Sequence, residues 1–121
     1  MLEAKKFLEA LGHICVVPEG TEEYASGRRV SSECSKRKIE HDLIRKHWRE
    51  IELGDAILVV NCIKNGIENY IGGNTFLEMG FAYILNKKMF LLNPVPEIRL
   101  IRQEVVAMQP IALNGDLSRI S

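Results

Sequence analysis

The run Ala56-Ile57-Leu58-Val59-Val60 constrains this chain more than any other feature. Consecutive apolar residues rich in β-branching predict a strand covered on both faces, and such strands belong to parallel sheets flanked by helices. Gly54-Asp55 turns the chain into it. Comparable runs are Ile14-Cys15-Val16-Val17, stopped by Pro18; residues 88–92, closed by Asn93-Pro94; and residues 111–113, ended by Asn114-Gly115. Helical spacing lies between them. Leu2, Phe7, Leu8 and Leu11 share one face, with Gly12 at the C′ position. Ile39, Leu43, Ile44, Trp48 and Ile51 make an apolar stripe over residues 35–53, with the interleaved Lys, Arg, Glu and His residues facing water. A further helix is predicted over 75–85, with Asn86 at its end, and a short one from Pro96 to about Val106. Residues 19–32 and 61–73 are polar and glycine-bearing, and read as loops. Helices alternating with buried strands predict an α/β fold with a parallel sheet. The chain opens on a helix, whereas the first strand of a doubly wound sheet is usually central. Three arrangements follow: strand 14–17 pairs directly with strand 56–60, an upstream strand is missing from the chain, or a partner subunit fills the gap.

A length of 121 residues suits one domain. Acidic and basic residues balance to a formal net charge of zero, which argues against a nucleic-acid polymer as partner and leaves a single nucleotide open. Lys36-Arg37-Lys38 is answered by Glu40, Asp42, Glu50 and Glu52, the pattern of a solvated helix face. Cys15, Cys34 and Cys62 form no CxxC pair, so neither a zinc cage nor a thioredoxin-type motif is expected. Cys15 and Cys62 lie in apolar runs and read as buried small hydrophobes. His13, His41 and His47 lack metal-ligand spacing, and Ser31, Ser32 and Ser35 lack a GxSxG context. Neither a metal nor a cofactor is expected. With no signal peptide and no membrane-spanning apolar run, a reducing cytoplasmic setting is expected.

Ligands of open parallel sheets bind beyond the carboxyl ends of the strands. Pro18 with Glu19, Asn61, Asn93, and Asn114 with Asp116 fall there. An asparagine amide donates and accepts, which suits a sugar hydroxyl or a base edge, although asparagine also favours turns for backbone reasons. Gly72 and Gly73 precede the helix predicted over 75–85, where paired glycines let a ligand approach the backbone and the helix start offers free N–H groups. Glu78 is expected in the first turn. A carboxylate there has the chemistry of a nucleophile toward an anomeric carbon. The same spacing, Thr75-Phe76-Leu77-Glu78, also fits a capping box. Gly80 is expected to allow close helix–strand packing, and Tyr83 to pack with its hydroxyl in water. Tyr24 is a candidate base platform, and Trp48 reads as core.

The segments Asp55-Ala56-Ile57-Leu58-Val59-Val60-Asn61 and Gly72-Gly73-Asn74-Thr75-Phe76-Leu77-Glu78-Met79-Gly80-Phe81-Ala82, then Lys87-Lys88 and a strand, resemble the nucleoside 2-deoxyribosyltransferase superfamily. That group includes transferases and nucleotide N-glycosidases on a flavodoxin/Rossmann-like three-layer parallel sheet. Leu8-Glu9-Ala10-Leu11-Gly12-His13 followed by Val16-Val17-Pro18 resembles the family's first helix and second strand. The resemblance implies that Glu78 is the nucleophile attacking C1′ of a deoxyribosyl group. It implies that Asn61 lies where active members place a sugar-orienting or base-protonating carboxylate, and that Gly73 and Asn74 follow the sugar; Gly72 at the helix start and Asn93 and Asn114 at the strand ends are the further substrate-binding candidates by their positions. It implies a homo-oligomer, with Asn114, Asp116 and Ser118 as candidates to complete a neighbour's site. The chain departs from the pattern in lacking the family's first strand with its Gly/Ser loop, in placing an amide at Asn61, and in placing Gly72-Gly73 near another family acid.

Three functions therefore stand open: an N-glycosidic transferase or hydrolase, a non-catalytic nucleotide-binding module in which Glu78 caps its helix, and an N-terminally truncated form of the enzyme.

Overall fold

Helix α1 (Leu2–Ala10) ends as its sequence predicts. The amide of Gly12 donates to Glu9 O and that of His13 to Leu8 O, both at 3.1 Å, with Gly12 at φ +97°. This left-handed terminus is cheap only for glycine or, at more cost, asparagine. The protein is represented by a computed structural model that describes residues 1–17, 39 and 42–120. It divides into two compact units, Met1–Glu50 and Ile51–Ser121.

In the first unit, Leu8 is buried on α1 and residues 13–17 are irregular. The strand expected at 14–17 does not form. Ile14 is 97 % exposed and Val16 69 %. A strand exists by pairing, and apolar β-branched sequence cannot by itself supply a neighbour. The long helix expected over 35–53 is described as α2 (Leu43–Leu53). Asp42, at φ +48°, breaks the backbone before it. On α2 the buried residues are Leu43, His47 and Ile51, one per helical turn. Ile44 and Trp48, expected in the apolar stripe, are exposed, and His47, expected in water, is buried. The buried stripe is therefore narrower than the expected one, keeping Leu43 and Ile51 and taking in His47 between them. Lys36-Arg37-Lys38, Tyr24, Cys34, His41, Pro18, Glu19 and the serines at 31, 32 and 35 lie outside the described residues.

The second unit holds β1 (Ala56–Val59), α3 (Gly73–Ile84), β2 (Lys88–Leu91), α4 (Arg102–Ala107), β3 (Ile111–Ala112) and a 3-10 turn (Leu117–Arg119). The strands form a parallel sheet in the order β1-β2-β3. Ala56 stands opposite Lys88, Val59 opposite Leu91, and Phe90 opposite Ile111. The α/β class and the parallel pairing thus agree with the sequence. β2 is the central strand, and Met89, Phe90 and Leu91 are all buried. β1 lies at an edge of this sheet, so Ile57 and Leu58 are only half-buried, short of the two-sided covering expected. Val59, Ile71, Met79, Ala82, Leu91 and Val105 form the centre of the core.

Helix α3 ends in the same manner as α1. Asn86 (φ +56°) donates its amide to Tyr83 O at 3.1 Å, and Lys87 donates to Ala82 O at 2.9 Å. The helix expected from Pro96 begins only at Arg102. Pro96 is buried, and Ile98 O first accepts the amides of Ile101 and Arg102 at 3.1 and 2.9 Å in a tight turn.

Gly80 does not serve the close packing expected of it. A Cβ there would meet nothing within 4 Å. Glycine inside a helix costs about 1 kcal/mol relative to alanine. Gly80→Ala is therefore expected to raise stability by about 0.5–1 kcal/mol, seen as a higher urea midpoint at unchanged slope.

Candidate functional site

The carboxyl ends of β1 and β2 are joined by two asparagines. Asn61 is fully buried. Its Nδ2 donates to Asn93 O at 3.1 Å and to Pro94 O at 3.0 Å, while its Oδ1 accepts from the Asn93 amide at 2.9 Å. Asn93 returns the contact, donating Nδ2 to Asn61 O at 3.0 Å. Both amide donors of Asn61 are spent on backbone carbonyls. Its geometry is that of a clasp between strand ends, and the sugar or base contact expected of it is replaced by this packing role. The same bonds explain why an amide, and not an acid, stands here. Two carbonyl oxygens face the side chain, and a carboxylate has no donor to offer them.

Beyond the clasp, inside the loop expected over 61–73, the chain makes a tight hairpin. Lys64 and Ile67 exchange amide hydrogen bonds of 3.0 and 2.9 Å around Asn65 (φ +51°) and Gly66 (φ +77°). Positive φ at both central residues is the type I′ pattern, and the Asn-Gly dipeptide was its available signal. The Tyr70 amide donates to Cys62 O at 3.2 Å, and the Lys64 ammonium lies 5.5 Å from the Tyr70 ring centre. Cys62 is exposed, contrary to the buried position expected, because it stands at the base of this hairpin. Cys15 is partly covered, and burial pushes its thiol up, with Glu9 adding to the effect.

Tyr70 leads to the start of α3. Gly72 is the N-cap residue in extended conformation, and a Cβ on it would come 3.4 Å from Tyr70 Cε1 and 3.7 Å from the tyrosine hydroxyl. Gly73 faces open space, since a Cβ there would meet nothing within 4 Å. The helix begins two residues before the Thr75 start expected, which removes the capping box. No side chain caps α3, and Thr75 lies inside it. Glu78 therefore sits in the second turn, half-buried. Its Oε1 accepts a 3.0 Å hydrogen bond from Asn74 Nδ2, one helical turn earlier. The structure thus brings Gly72, Gly73, Asn74 and Glu78 onto one helix, and Asn61 and Asn93 into one clasp.

Asn114 belongs to neither group. With Gly115 it forms a second turn of positive φ (+52° and +83°), closed by the Asp116 amide on Leu113 O at 3.1 Å. Asn114 is exposed, and the Gly115 amide donates to Leu92 O at 2.7 Å, tying this turn to the end of β2. Asp116 accepts from the Ser118 hydroxyl at 2.5 Å and from the Ser118 amide at 3.0 Å. These two bonds, the hydroxyl first, hold the Asp116 carboxyl below its ordinary value. A depressed value means that the turn is favoured above the ordinary carboxylate range and loosens as pH falls through the lowered value. Faster exchange of the Ser118 amide in acid, relative to its intrinsic rate, is the expected observation.

Among the described residues no cluster of His, Cys, Asp or Glu is placed to hold a metal ion, and no helix is long and apolar enough to cross a membrane. Compared with protein-family models, with curated proteins and with solved structures, the chain matches none of them.

Proposed function

We propose that this chain is an N-glycosidic enzyme acting on nucleosides or nucleotides, with Glu78 as its nucleophile. The observation that carries this reading is the position of Glu78: a half-buried carboxylate on the helix that leaves the carboxyl end of β1, oriented by Asn74 and not engaged as a cap. In the proposed reaction a Glu78 oxygen bonds to C1′ as the C1′–N bond breaks. The electron pair leaves on the base nitrogen, which takes a proton from water. Water or a second base then attacks C1′ and returns the carboxylate. Open space over Gly73 gives the sugar room beside the helix start. Tyr70, against the neighbouring Gly72, is an aromatic that a base can stack on. Because Asn61 and Asn93 are spent on each other, their part is to fix the strand ends that frame the site.

The sheet order and parallel register support a flavodoxin-like layering as part of the same proposal. So does a homo-oligomer. Leu77, Tyr83 and Ile84 are 50 %, 49 % and 78 % exposed on a helix whose one charged side chain is Glu78, and an apolar surface of that kind suits a second copy.

The test is chromatographic detection of free base from a panel of deoxynucleosides and their monophosphates, with and without an acceptor base. Release that requires the acceptor identifies a transferase, and release in water alone a hydrolase. Saturable binding without release would favour the nucleotide-binding module instead.

A further inference from the structure

We infer that Asn74 is a positioning residue that fixes the Glu78 carboxylate for attack, an inference that rests on Glu78 being the nucleophile. The resemblance to deoxyribosyltransferases set Asn74 along the sugar. Its Nδ2 instead donates to Glu78 Oε1 at 3.0 Å. Residues four apart on a helix are neighbours, so the bond needs no help from another element. A glutamate side chain left to itself samples several rotamers, and freezing it ahead of reaction lowers the barrier through orientation. A Glu78 oxygen held in this orientation forms the bond to C1′. The C1′–N pair departs with the base, which takes a proton from water. In the second step water attacks C1′, the electron pair of the bond between C1′ and the Glu78 oxygen returns to the carboxylate, and the proton released by that water neutralises the hydroxide left by the first step. The amide suits this task because it donates without carrying charge. A carboxylate at position 74 would instead oppose Glu78 across 3.0 Å.

The experiment compares steady-state kinetics of base release for the unaltered protein, Asn74→Ala and Asn74→Asp, with side-chain amide spectra of Asn74 in the unaltered protein and in Glu78→Ala. Loss of a hydrogen bond to a charged group that matters in the transition state lowers kcat by about tenfold or more. The expected result is that fall for Asn74→Ala at unchanged KM, and a deeper one for Asn74→Asp. Alanine is a strong helix former, so α3 is retained. The Asn74 side-chain amide signal is expected to move in Glu78→Ala. A raised KM with kcat unchanged would make Asn74 a substrate contact and overturn the inference, as would unaltered kinetics. Absence of base release from the unaltered protein would overturn the nucleophile reading and the positioning role with it. In that case a moving amide signal would still identify the Asn74–Glu78 bond as a purely structural one, and a static signal would show that the bond itself does not form in solution.

Discussion

Asn61→Ala is expected to lower the stability of the Ile51–Ser121 unit by about 3 kcal/mol or more, the largest loss foreseen from any polar substitution here. The substitution removes the partner of the Asn93 amide and of the Asn93 and Pro94 carbonyls together. A buried backbone group left unsatisfied costs about 1–3 kcal/mol, and partial access of water to Asn93 moderates the sum. A downward shift of the urea midpoint at unchanged slope would register it. Asn61→Leu is expected to fare no better, because filling the space leaves the same groups unpaired. Asn61→Asp places an acid in the clasp, and is expected to be worse than alanine near neutral pH. The new carboxylate would face two carbonyl oxygens at the 3.1 and 3.0 Å positions of the present donors. Burial among acceptors raises the folded value of such a carboxyl above its unfolded value. Its deficit is therefore smallest in acid and grows as pH rises through the raised value. Should Asn61→Asp match the original protein in stability at neutral pH, the clasp would not be what holds the strand ends.

Glu78→Gln is expected to abolish base release, by roughly 10³-fold or more, because the amide oxygen does not form the glycosyl ester. The folded state should change little. The glutamine oxygen still accepts from Asn74 Nδ2, and no helix cap is lost, since Gly72 begins α3 without a side-chain partner. A stability loss of about 1 kcal/mol or less is expected from thermal or urea unfolding. A capping role would reverse the pattern, with a clear stability loss and unaltered chemistry. The two substitutions thus separate the clasp, which acts through the fold, from the carboxylate, which acts through the reaction.

Sequence legibility followed locality. The ends of α1 and α3 were readable in Gly12 and Asn86 because a left-handed terminus is decided by one residue. The strands at 56–59, 88–91 and 111–112 were readable because short apolar runs stop at turn-forming asparagines. What failed depended on partners. The run at 14–17 has strand composition, yet residues 13–17 are irregular. Trp48 and His47 exchanged their expected environments because His47 lies between Leu43 and Ile51 on the helical wheel and Trp48 at the margin of the stripe, and only packing decides which of the two is covered. The capping box failed because Thr75 and Glu78 carry its spacing at any helical position, and only the backbone shows that α3 starts at Gly73. At the site, Asn61 was legible as a residue at a strand end, but its occupation by Asn93 and Pro94 is a contact across 32 and 33 positions. The Asn65-Gly66 turn carries its own local signal, an Asn-Gly dipeptide, inside a longer polar stretch.

The most direct test of the account is base release from deoxynucleosides and deoxynucleoside monophosphates by the purified protein, measured beside Glu78→Ala and Glu78→Gln under conditions where all three are shown to be folded. Release by the unaltered protein is expected, with none above the uncatalysed rate by either variant. Release that persists in both variants would contradict the assignment of Glu78 as nucleophile. No release by the folded, unaltered protein from any member of the panel would contradict the N-glycosidic function itself.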